Sequence, residues 1–191
     1  MTTEPKFVPE EAAELKVKDA VARVRLIDCV GYPVEGATGF EENGVPRLVK
    51  TPWSEEEVSF NQAAEDGTRR VIRDHSTIGI LVTTDGSITD LPRSAYEAAE
   101  ERAQSELHAL GKPYVILLNC RVPADAEELR AELEEKYNAP VLALNVEEAN
   151  AEKLASVLER VLYEFPVACV DIDLPDWMRV LDADSPILSE V

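Results

Sequence analysis

The chain has 191 residues, 45% of them hydrophobic and 30% charged, the balance of one folded domain, or one domain plus a tail, rather than of a disordered segment. Asp and Glu total 38 against 19 Lys and Arg, a net charge of −19; such a surface repels nucleic-acid backbones and anionic lipid, so no nucleic-acid partner is expected. No stretch approaches the ~18 apolar residues of a membrane span, and the N-terminus does not read as a signal peptide. The three cysteines, Cys29, Cys120 and Cys169, are far apart and lack zinc spacing; they suit a reducing cytoplasm and buried positions.

Residues 1–9 read as an extended loop punctuated by Pro5 and Pro9. Alternation over 14–18 and 21–27, broken at Asp19-Ala20, predicts an antiparallel strand pair. A long loop over 31–59 follows, of the length that is functional or mobile when it has no structure of its own. A helix is expected over 60–74 with Asn61 as N-cap, and Ile78–Val82 reads as a strand buried on both faces. A helix over 92–110 ends at Gly111, and Tyr114–Leu118 is a second fully buried strand. Helix 124–137, strand 140–144, helix 149–163 and strand 167–173 complete the series. Strands alternating with helices in this way predict a mostly parallel sheet with helices on both faces.

Parallel sheets bind ligands at the carboxyl ends of their strands, which directs attention to Asp28–Gly31, Thr83–Gly86, Asn119–Pro123 and Leu144–Val146. Asp28 follows an apolar strand directly and opens an Asp-x-x-Gly run ending at Gly31. In phosphate-binding α/β proteins this is the Mg²⁺ and γ-phosphate side of a nucleotide site: the carboxylate holds a metal-bound water, and the glycine lets a backbone N–H approach phosphate. The same tetrapeptide is also an ordinary turn. Thr3 or Thr2 is placed to offer a hydroxyl to the same Mg²⁺, with a frayed terminus as the plainer reading. Asn119 ends a buried strand where guanine-specific enzymes carry Asn-Lys-x-Asp, but the run here is Asn119-Cys120-Arg121-Val122, so guanine selectivity is not encoded. The phosphate-cradling loop, Gly-x-x-x-x-Gly-Lys-[Ser/Thr], is absent from the sequence. His75 and His108 read as surface residues.

Taken together, MTTEPKFVP (1–9), RLIDCVGYPVEGATGFEENG (25–44), KTPW (50–53), HSTIGILVTTDGSI (75–88), RSAYEAAEERA (93–103) and LYEFPV (162–167) resemble the stage IV sporulation protein A family. These are the coat morphogenetic ATPases of endospore-forming Firmicutes, and the resemblance runs across essentially the whole chain. It implies an α/β, P-loop NTPase-like domain of the translation-factor class over 1–165, with 166–191 beginning the next region. It also implies ATP and Mg²⁺ as cofactors and ATP hydrolysis that drives self-polymerisation into the coat basement layer. The setting is the mother-cell cytoplasm at the forespore outer surface, and the partners are further copies of the chain, other coat proteins and a small amphipathic membrane-anchoring peptide.

By the same resemblance Thr3 (or Thr2) is the switch threonine, Asp28 the Walker B aspartate and Gly31 the switch glycine. Tyr32 stands where many GTPases carry a water-orienting glutamine. The family carries a first strand, phosphate loop and helix ahead of the switch threonine, so the chain reads as a fragment without its central strand. Such a strand buries about five large apolar side chains at ~1.5–3 kcal/mol each. That is roughly 8–15 kcal/mol, comparable with the ~5–15 kcal/mol that holds a whole domain together. The fragment is accordingly expected to bind and hydrolyse ATP weakly or not at all. A non-catalytic scaffold is the alternative, and a flavodoxin-like binding module a third.

Overall fold

The computed structural model describes residues 5–17, 20–42 and 44–165. Thr2, Thr3, Cys169 and the strand expected over 167–173 lie outside these residues.

The chain opens with an antiparallel ribbon, β1 (Lys6–Val17) and β2 (Ala20–Asp28). β1 starts well before the expected strand because pairing continues past Pro9: the register shifts between Val8 and Ala13, and a proline without an N–H is tolerated at such an irregularity of an edge strand.

The expected open loop over 31–59 is corrected by two small hairpins: β3 (Glu41–Glu42) with β4 (Val45–Pro46), and β5 (Leu48–Thr51) with β6 (Ser54–Ser59). Backbone bonds from Arg47 N–H to the Phe40 carbonyl and from Phe60 N–H to the Arg47 carbonyl tie them together. The phenyl rings of Phe40 and Phe60, 5.7 Å apart, supply their apolar contact. The helix α1 (Phe60–Arg70) is capped by Ser59, whose hydroxyl accepts from Gln62 N–H, and not by Asn61. A wider π-type turn, Val71–His75, follows it.

Three parallel strands, β7 (Gly79–Thr84), β8 (Tyr114–Asn119) and β9 (Val141–Leu144), form a sheet in the order β7-β8-β9. They alternate with α2 (Ser94–Ala109), α3 (Glu127–Tyr137, entered through a 3-10 turn at Pro123–Ala126) and α4 (Ala151–Tyr163). Side chains alternate across a strand. Ile116 and Leu118 accordingly pack with Ile72, Leu107, Leu133 and Tyr137 on one face, while Leu117 and Leu144 meet Val157 of α4 on the other. Helices therefore cover both faces, as expected. The single mostly parallel sheet is corrected: the β1–β2 ribbon is a separate sheet from the parallel trio.

β8 is buried along its length up to Leu118, as a central strand should be. β7 is not the doubly buried strand expected from its apolar run, since Val82 is 60% exposed. The cause is topological: among the described residues β7 pairs with β8 on one side and with no other strand. Among the described residues no helix is long and apolar enough to cross a membrane.

Candidate functional site

The gap between the two sheets is a cleft of about 1120 Å³. Consecutive residues of β2, Ala22–Ile27, and of β7, Gly79–Thr83, line it. Side chains alternate in a strand, so a run of consecutive lining residues means that each strand presents its backbone edge to the cleft. The α2 residues Ala99, Glu100, Ala103 and Leu107 close one side, and Leu158, Val161 and Leu162 of α4 line it as well. Leu26, 50% exposed, and Val82 both belong to this lining. Among the described residues the cleft thus offers two unpaired backbone edges and apolar walls, the surroundings of a strand buried on both faces.

The candidate residues distribute unevenly around it. Asp28 ends β2 and is exposed, while its neighbours Ile27, Cys29 and Gly31 line the cleft. Burial pushes the half-buried Cys29 thiol above its ordinary range, so it stays a neutral thiol and not a reactive thiolate. Gly31 has φ +85°, a backbone that suits glycine, and its N–H donates to the Thr68 hydroxyl at 3.1 Å. A phosphate oxygen would compete with that buried threonine for the amide. Asn119, at the end of β8, stands one strand further from the cleft than β7; its Oδ1 accepts from Val146 N–H at 3.1 Å, joining the β8 and β9 loops. Gly31 is therefore among the cleft's lining residues, Asp28 adjoins them in sequence without being one of them, and Asn119 is not one of them either. Thr2 and Thr3 lie outside the described residues.

Tyr32, which follows Gly31, is buried among core side chains, with the Arg102 guanidinium 4.5 Å over its ring. Burial and the neighbouring Glu106 carboxylate push its hydroxyl well above the ordinary range. It packs the loop onto α2 and lines the cleft beside Gly31.

Sequence reasoning passed over a buried polar cluster behind the cleft. Glu100 Oε1 accepts from Arg93 Nη2 at 2.7 Å and from the Tyr137 hydroxyl at 2.8 Å, and Arg93 Nη1 donates to Thr83 Oγ1 at 3.2 Å. Burial, then the Glu100 contact, pushes Tyr137 up to about 12. The signal was present: Glu100 occupies a slot in the otherwise apolar α2 stripe Ala99, Ala103 and Leu107, where a carboxylate must have buried partners. At the end of β7, the Thr84 hydroxyl accepts from Gly86 N–H and Asp85 Oδ1 accepts from Ser87, which fold the loop tightly.

A magnesium ion takes few protein ligands and leans on carboxylates and substrate phosphates, so an exposed Asp28 at a strand end fits it. Among the described residues no group of three or more His, Cys, Asp and Glu is arranged to hold a metal by itself. For the phosphates, the Gly31 amide is already engaged, and among the described residues the cations lining the cleft are arginines, Arg23 and Arg25, with no lysine.

The sequence model of the family described as "Stage IV sporulation protein A, ATPase domain" matches residues 1–166. The chain belongs to this family. It is 52% identical, over 194 aligned positions, to the stage IV sporulation protein A of Clostridioides difficile (strain 630), covering 100% of this chain and 40% of that protein. The Bacillus subtilis (strain 168) protein is 50% identical over 95% of this chain and 37% of its own length. For the Bacillus anthracis protein the figures are 48%, 95% and 38%. The chain thus spans about two-fifths of the length of the curated relatives it matches. No solved structure matches it significantly. Family and relatives support a sporulation role and an ATPase-type domain, and the mixed α/β architecture with its parallel trio is compatible with one.

Proposed function

We propose that this chain is the switch-side part of a P-loop NTPase-like domain that hydrolyses ATP, and that the hydrolysis drives self-polymerisation in spore coat assembly on the forespore surface. The observation that carries the reading is the cleft: two strand edges and apolar walls frame a place for one more strand, between Asp28 and Gly31 on one side and Thr83 on the other. A strand there, supplied by the part of the relatives' length that this chain does not span, would bring its following loop toward the end of β2, where Asp28 stands. That loop provides backbone phosphate donors beyond the Arg23 and Arg25 guanidinium groups of the lining. ATP supplies the transferable phosphoryl group, and Mg²⁺ the charge neutralisation. Asp28 would hold the Mg²⁺ through its carboxylate, and Gly31 would give backbone access to the phosphate once Thr68 yields its hydrogen bond. The run Asn119-Cys120-Arg121-Val122 carries no carboxylate for a guanine edge, which favours ATP over GTP.

The test is calorimetric titration of Mg·ATP into this chain and into a chain of the relatives' length. Binding in the longer chain alone, with turnover that falls on the order of a hundredfold in Asp28→Asn, is the expected result. Binding in neither refutes the reading and favours a non-catalytic scaffold. The specific observation on the scaffold's side is that the Gly31 amide is already satisfied by Thr68.

A further inference from the structure

The bond between Gly31 and Thr68 joins two segments far apart in the chain. Gly31 belongs to the turn after β2, and Thr68 lies near the end of α1, 37 residues on. The Gly31 N–H donates to Thr68 Oγ1 at 3.1 Å, and Thr68 is only 4% exposed. Both groups also reach the Cys29 sulfur, so the two segments meet at one point. Gly31 has φ +85°, and nothing lies within 4 Å of where a Cβ would stand. The glycine therefore answers to the backbone conformation and not to crowding, and the turn has open space beside it.

The two partners are also held against each other from behind. α1 is fastened to α2 by Glu65–Arg102 at 2.7 Å and by Arg69–Glu106 at 3.5 Å. The turn is fastened to the same helix, because the Arg102 guanidinium lies 4.5 Å over the ring of Tyr32. Arg102 thus gathers both segments. Groups positioned in advance lose little freedom when they bond, so the closed arrangement is the resting one.

We propose that Thr68 is a latch on the nucleotide site, which occupies the Gly31 amide in the empty state and must release it to a terminal phosphate. The proposal rests on the reading of Gly31 as a phosphate-contacting glycine. Its consequence is discrimination between nucleotides. A triphosphate reaches the Gly31 amide with its third phosphate, so its binding includes the cost of opening the bond. A diphosphate stops short, leaves the bond closed and bears no such cost. Thr68 thereby weakens ATP binding relative to ADP by about two- to tenfold, the range that one neutral hydrogen bond sets. It acts through the Gly31 amide and touches no nucleotide itself, so it is a positioning residue.

Calorimetric titration of a chain of the relatives' length, with a non-hydrolysable Mg·ATP analogue and with Mg·ADP, tests it. Thr68→Val replaces the hydroxyl by a methyl group, and Thr68→Ser keeps the hydroxyl. Thr68→Val is expected to bind the ATP analogue about two- to tenfold more tightly, with its ADP affinity unchanged. Thr68→Ser should match wild type with both ligands. In turnover, KM for ATP should fall in Thr68→Val while kcat stays the same, because the bond is already open in both the bound complex and the transition state. Far-UV circular dichroism checks folding, and Thr68→Ala, which also removes the oxygen, takes the place of a valine variant that does not fold. An unchanged ratio of the two affinities, or a gain that ADP shares, overturns the latch and leaves the nucleotide reading standing. A wild-type chain that binds neither nucleotide overturns both.

Discussion

Replacing Glu100 by alanine strikes the structure where its electrostatics are least forgiving. The side chain is 1% exposed, and one of its oxygens serves both Arg93, 17% exposed, and the Tyr137 hydroxyl. Truncation leaves a guanidinium and a phenol buried without their acceptor. Removing one member of a buried ion pair costs about 3–5 kcal/mol, against a typical domain stability of about 5–15 kcal/mol. Tyr137→Phe removes one hydrogen bond to a charged group and should cost about 1.5–3 kcal/mol. In the double variant the phenol is no longer stranded, so its cost should fall short of the sum by about 1–2 kcal/mol. Urea titrations followed by far-UV circular dichroism measure all three, provided the denaturant slope is unchanged. A loss below about 1 kcal/mol in Glu100→Ala would refute the reasoning, because Arg93 would then have solvent or another partner at hand. The consequence reaches the cleft, since Arg93 also holds Thr83 and so fastens α2 to the end of β7 beside it.

Gly86→Ala should destabilise by about 1–3 kcal/mol. Its φ is +87° and a Cβ there would meet the Arg93 nitrogen at 2.9 Å, so an unchanged urea midpoint would contradict the strain argument. Tyr137, pushed up to about 12 in the fold, should make stability fall in alkali. The unfolded phenol ionises near 10 while the folded one keeps its proton, so the contribution is complete below about pH 10 and is lost as pH rises through about 12. Tyr137→Phe should flatten that part of the profile, and an identical slope would rule the assignment out.

The parts of the fold that were legible in the sequence are those where one local signal suffices. Tyr114–Leu118 is an uninterrupted apolar run, and it is the buried central strand. Gly111, with φ +62°, closes α2 where a left-handed residue is needed. The hairpins over 41–59 were not legible, because Ser54–Ser59 reads Ser-Glu-Glu-Glu-Val-Ser: its pairing is held by backbone bonds and by the Phe40–Phe60 contact, not by alternating apolar side chains. For the site, Asp28 and Gly31 were marked by a strand followed at once by a turn; Asp28 ends β2 and Gly31 lines the cleft. Thr68 left no such mark. It lies 37 residues from Gly31, and nothing short of the folded α1 reveals that its hydroxyl takes the glycine amide. The exposure of Val82 was hidden for the same reason, since an apolar run reports what a strand needs and not which neighbour is present.

That last point bears on how folding and nucleotide binding are connected. Among the described residues β2 and β7 each leave one edge of N–H and C=O groups facing the cleft, together with aliphatic side chains that line it. Bare edges of this kind recruit whatever strand is at hand. On the proposed reading, the strand that satisfies them also delivers the phosphate-binding loop, so the same event closes the core and completes the nucleotide site. A ligand that binds the completed state alone must then stabilise the whole sheet, by an amount set by its concentration relative to its dissociation constant. Saturating Mg·ATP should raise the melting temperature of the longer chain and leave that of this chain unchanged. A nucleotide-dependent shift in this chain by itself would mean that the cleft, as it stands, already suffices to bind.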